Sequence, residues 1–88
     1  MSNKTLKEYT QIRDEAVESN DLKKYKEFVK EAMLRGAITL DEYALFLNAG
    51  EHEQYGSMQK MALMINTISK ERKEAAKKWL AENKMEVL

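Results

Sequence analysis

Eighty-eight residues with 15 basic and 15 acidic side chains that cancel, no cysteine and a single histidine describe one small domain without a disulfide framework. An apolar fraction of 43 % at zero net charge is too high for disorder, and no apolar run reaches the about 20 residues of a membrane span. The opening MSNKTLKEYTQ lacks the apolar core of a secretory signal, which gives a cytoplasmic protein as the expectation.

Proline is absent and glycine occurs three times, so the chain reads as all-α: a small bundle of about four helices, three short and one long. The first helix is expected over 5–19. Thr5 and Glu8 fit a capping box, and Leu6, Tyr9, Ile12, Ala16 and Val17 recur at helical spacing. Asn20 suits a left-handed helix end, and Asp21 can cap the next helix directly. That second helix, over 22–35, should bury Leu22, Tyr25, Phe28, Val29, Ala32 and Met33, with Gly36 as its stop.

The third helix, over 40–49, opens on a capping box of Thr39 and Glu42, with Ile38 and Tyr43 at the staple positions. It presents Leu40, Tyr43, Phe46 and Leu47, and Gly50 closes it. The polar stretch from Glu51 to Gly56 reads as a loop. Ser57 then caps a long fourth helix over 58–84, whose apolar stripe alternates in threes and fours like a coiled-coil seam. Asn66, Thr67 and Ser69 are weak helix formers, so a break near Asn66 is the alternative to a continuous helix.

The stretch Gly36-Ala37-Ile38-Thr39-Leu40-Asp41-Glu42-Tyr43 resembles helical hairpins of many small bacterial and phage proteins, including short C-terminal oligomerisation domains. The likeness consists mainly of helix-capping residues and names no family. A lysine, glutamate and asparagine bias suits a low-GC bacterium, its phage or another mobile element. The pattern of cap, leucine, two polar residues and tyrosine appears at Thr5–Tyr9, Asp21–Tyr25 and Thr39–Tyr43. Its spacing of 16 and then 18 residues matches no solenoid period, so it reads as a shared way of starting amphipathic helices.

Chemistry has little to stand on. His52 is the sole candidate base, and Glu51-His52-Glu53 lacks the further ligands that a zinc site requires. The three glycines are isolated and make no phosphate loop. The expectation is therefore a protein without enzymatic activity, cofactor or metal.

Charge is uneven: residues 37–56 carry four acidic groups and no lysine or arginine, while residues 57–88 carry a net +3. Lys70, Lys73, Lys77 and Lys84 flank the apolar stripe and could meet phosphates or an acidic partner. A helix-turn-helix centred on Gly36 fits poorly. Its third position after the turn is acidic Glu42 where a buried aliphatic is needed, and its recognition helix would have no positive charge.

Length supplies the strongest functional argument. A continuous helix over 58–84 would be about 40 Å long, whereas an 88-residue globule is near 30 Å across. Either a partner covers Trp79 and Leu80 at its far end or the helix breaks near Asn66. The expected function is an interaction or regulatory protein, a homodimer through the seam Met58, Met61, Ile65, Ile68, Arg72, Ala75 and Trp79, or a binder of another protein. A nucleic-acid-associated regulator using the lysine face is the alternative. Within the seam Arg72 is either a register device or a side chain that snorkels outward; as a register device it would need a carboxylate, free helix C-terminal carbonyls or an aromatic face.

Overall fold

In a computed structural model, which describes residues 4–85, every element is helical: α1 Leu6–Glu18, α2 Leu22–Leu34, α3 Leu40–Asn48, α4 Glu51–Met64 and α5 Lys70–Glu82. About 76 % of the described residues are helical and none is in a strand. The first three helices begin where their sequences place them. Thr5 with Glu8 and Thr39 with Glu42 form complete capping boxes, and the Asp21 carboxylate accepts from the Lys24 amide. Asn20 is left-handed at φ 56°, which lets α1 turn into α2 within three residues. Gly36 at φ 78° ends α2, and Ala37 N–H closes that end on Ala32 O at 2.8 Å.

The long fourth helix is corrected to two helices. Ile65 is extended at ψ 120°, and Ser69 starts α5 by accepting the Arg72 amide at 3.2 Å. Ile65 and Ile68 keep helical spacing across the break because both still point inward, each 5 % exposed. Asn66 and Thr67 lie outside, where their polar side chains tolerate non-helical backbone. The molecule has principal extents of 37 × 27 × 21 Å, too short for the overlong rod.

The loop expected over residues 51–56 is also corrected, since it forms the first two turns of α4. Gly50 at φ 88° redirects the chain, and Glu51 and Glu53 place negative charge in the first turn, where the helix dipole favours it. Gly56 is helical rather than a loop residue. A Cβ there would run into the Met85 thioether, so the glycine admits the end of α5 against α4.

α4 is the central helix and touches each of the other four. The core gathers Ala16 and Val17 of α1, Tyr25, Phe28 and Val29 of α2, Met58 and Ala62 of α4 and Ala76 of α5. Leu80 is 1 % exposed, so folding α5 back along α4 recovers its burial, worth about 2 kcal/mol.

Arg72 fixes this fold-back. The residue is 8 % exposed, and its guanidinium donates from Nε to Val17 O at 2.7 Å and from Nη2 to Asn20 Oδ1 at 2.8 Å. Gln59 Nε2 donates to the same Asn20 Oδ1 at 2.8 Å. A cation on α5 thus satisfies the carbonyl end of α1, complementing its dipole. The partner of Arg72 is the helix terminus, not the acidic segment. Arg72→Met should destabilise the fold by about 2 kcal/mol, lowering the thermal midpoint by roughly 10 °C, because a buried carbonyl loses a charged donor. Calorimetry checks this; an unchanged midpoint would contradict the capping role.

Candidate interaction surfaces

The seven residues of the expected seam do not form one stripe. Met58, Ile65, Ile68 and Arg72 are buried within the chain, Met61 and Trp79 are half-buried, and Ala75 is exposed. The break rotates the buried line of α5 onto Arg72, Ala76 and Leu80, four residues apart. Trp79 lies across α4, its ring stacked on Tyr55 at 5.9 Å and tilted against His52 at 5.4 Å. His52 therefore packs on a tryptophan from the first turn of α4 and does not sit in a loop.

Lys70, Lys73 and Lys77 do share one side of α5, beside the buried line, with Lys84 past its C-terminal end. The ribbon is not purely basic, since Glu74 sits a turn from Lys70 and Lys77. Among the described residues no group of three metal-ligating side chains comes together, and no helix is long and apolar enough to cross a membrane.

An apolar cleft of about 340 Å³ opens between α2, α3 and α4, lined in part by Tyr9, Phe28, Phe46 and Met61. Its aromatic walls are continuous: Tyr9 meets Phe28 at 5.1 Å, and Tyr25 meets Phe28 and Phe46 at 5.7 and 5.9 Å. At its floor the Tyr25 hydroxyl is hydrogen-bonded to Ser57 Oγ at 2.9 Å, and burial raises the phenol above its ordinary value.

α3 is the anomaly of the surface. Six of its nine residues are apolar, yet none is buried. Tyr43 and Phe46 reach the core in part, but Leu40, Leu45 and Leu47 are 67 %, 71 % and 48 % exposed. Of the four residues this helix was expected to present, Tyr43 and Phe46 face the core and Leu40 and Leu47 do not. A helix only two and a half turns long offers one core-facing line, which Tyr43 and Phe46 already fill. Leu45 is the residue that reasoning from core periodicity missed. The available signal was that the apolar positions of this helix cover more than one side.

The seat of α3 is also light. Gln54 of α4 caps its C-terminal end, donating Nε2 to Phe46 O at 2.9 Å, but the buried Gln54 Oε1 has no hydrogen-bond partner among the described residues. Such an unpaired acceptor costs about 1–3 kcal/mol.

Comparison of the chain with protein-family models, curated proteins and solved structures finds no match.

Three carboxylates are held below their ordinary value of 4.5. Glu18 is lowered chiefly by accepting the Ser69 hydroxyl and amide, both at 2.7 Å, and Glu8 and Glu42 by their capping boxes. Because the folded values lie below the unfolded ones, the stability they contribute is complete above about pH 4.5 and is lost as pH falls through the folded values. The thermal midpoint should stay level from about pH 7 to 5 and decline in more acid solution, less steeply in Glu18→Gln. A midpoint that rises on acidification would contradict the assignment.

Proposed function

We propose that this chain is a small helical protein–protein interaction module whose contact surface is α3. The observation that supports the reading is the exposure of Leu40, Leu45 and Leu47 on a helix with no buried residue. Single exposed leucines are ordinary on protein surfaces, and Leu6 and Met64 are of that kind here. Three on one short helix are a concentration of apolar surface of the sort that marks an interaction site.

The partner is another protein rather than a second copy of the chain. The stripe that suggested self-association is largely occupied, because Met58, Ile65, Ile68 and Arg72 are buried within the chain. Pairing α3 with α3 would also bring carboxylates together, Asp41 and Glu42 near their counterparts if parallel or near Glu51 and Glu53 if antiparallel. The nucleic-acid reading has less support. Three lysines beside a glutamate neutralise few phosphates, and each phosphate contact contributes only about one unit of salt dependence.

A photo-cross-linking side chain introduced at position 47 in the native host should give discrete adducts of defined mass. The same group at Glu27, exposed on α2, should not. Adducts that form only with a label at Lys77, or equally at all three positions, would overturn the reading.

A further inference from the structure

The α3 surface has a charge pattern as well as an apolar one. Asp41 and Glu42 stand in its first turn, and Glu51 and Glu53 follow just past its C-terminal end, in the first turn of α4. All four are exposed. The segment 37–56 that contains them has no lysine or arginine, and no salt bridge joins any of the four to another described residue. Accepting from Thr39 lowers the Glu42 carboxyl below its ordinary value. Exposed leucines are thus bracketed by carboxylates at both ends of one helix about 13 Å long.

We propose that α3 docks a cationic amphipathic helix of another protein. The inference rests on the α3 contact surface proposed above and adds the chemistry of its occupant. An amphipathic helix lays apolar residues along the side that Leu40 and Leu47 share, seven residues apart, while lysines or arginines on its flanks meet the bracketing carboxylates; Leu45 lies on another side of α3. The geometry also sets the strength. A footprint of about 13 by 10 Å lies well below the roughly 800 Å² per partner of standard stable interfaces, so the contact is weak and exchanges rapidly.

A second copy of the chain cannot supply this occupant. Its lysine-rich helices are α2 and α5, with four lysines each, but their apolar lines are buried: Tyr25, Phe28, Val29 and Ala32 of α2 are at most 7 % exposed, and Ala76 and Leu80 of α5 are 0 % and 1 % exposed. What α5 shows to solvent is lysine and glutamate without leucine. The occupant needs both features on one accessible helix.

Three synthetic peptides of about 18 residues, long enough to span α3, test the proposal. One carries a leucine face flanked by lysines, one the same leucines flanked by glutamates, and one the lysine composition with its leucines shuffled off a common face. Titration into the full-length isotope-labelled protein, followed by NMR, reads affinity and location together. The lysine–leucine peptide should bind with a dissociation constant of about 0.1 to 1 mM and move resonances of residues 40–48. The other two should bind at least about ten-fold more weakly.

Leu40→Ser with Leu47→Ser, both at exposed positions on the same side of α3, should abolish binding while leaving the spectrum of the core intact. Asp41→Asn with Glu53→Gln should weaken it several-fold and flatten its salt dependence. Equal binding of the glutamate peptide would overturn the charge assignment and leave the α3 surface standing. Shifts confined to α5, or α3 shifts that appear on concentrating the protein alone, would overturn the proposed occupant. Failure of the cross-links at position 47 is the separate result that removes the contact surface itself.

Discussion

The carbonyl end of α1 is where this fold is decided. A helix terminus leaves backbone acceptors without partners, and here they are met by a guanidinium from the far end of the chain. Asn20 can serve as the junction because its left-handed backbone ends α1 and leaves Oδ1 as a common acceptor for Arg72 and Gln59. Glu18, one turn back, holds Ser69 at the start of α5 through two short hydrogen bonds. Four residues of the α1–α2 corner and the α5 entrance therefore constrain one another. With α5 held there, Trp79 falls across α4 and Leu80 is enclosed.

This constraint governs what remains for function. Had α4 and α5 been one rod, its apolar stripe would have been the molecule's main adhesive surface. The fold-back spends that stripe on the chain's own core, to which Met58, Ala62 and Ile65 contribute from α4 and the residue that follows it. What stays uncovered is α3, joined to α4 through Gly50 and capped by a glutamine with an unpaired oxygen. A short helix that is apolar, acidic at both ends and lightly seated can accept a partner without dismantling the core.

Much of this was legible in residue order, because helix starts are local. Thr5 with Glu8, Asp21, and Thr39 with Glu42 act on amides within their own turn, so their spacing carries the whole interaction. The left-handed Asn20 and Gly36 are likewise set by immediate neighbours. Other features depend on distant residues. Gly56 reads as a loop former until Met85 and Trp79 are seen to need its missing side chain. The break at Ile65 is masked because Ile65 and Ile68 preserve the apolar rhythm through a non-helical turn. Length did foreshadow that break, since a rod of about 40 Å outruns so small a globule. The exposure of the α3 leucines was not legible for a related reason: a nine-residue helix holds more apolar positions than its core line can use.

The claim on which everything else rests is that α5 returns along α4. The chain has no native cysteine, so spin labels at Glu51→Cys and Lys78→Cys report a single pair. Both positions are exposed, and their neighbours His52 and Trp79 are in ring contact. Double electron–electron resonance on dilute protein should give a distance of roughly 20 Å or less, as two packed helices require. A distribution centred near 40 Å, the span of 27 residues in one unbroken helix, would contradict the fold-back and return the apolar stripe to the surface.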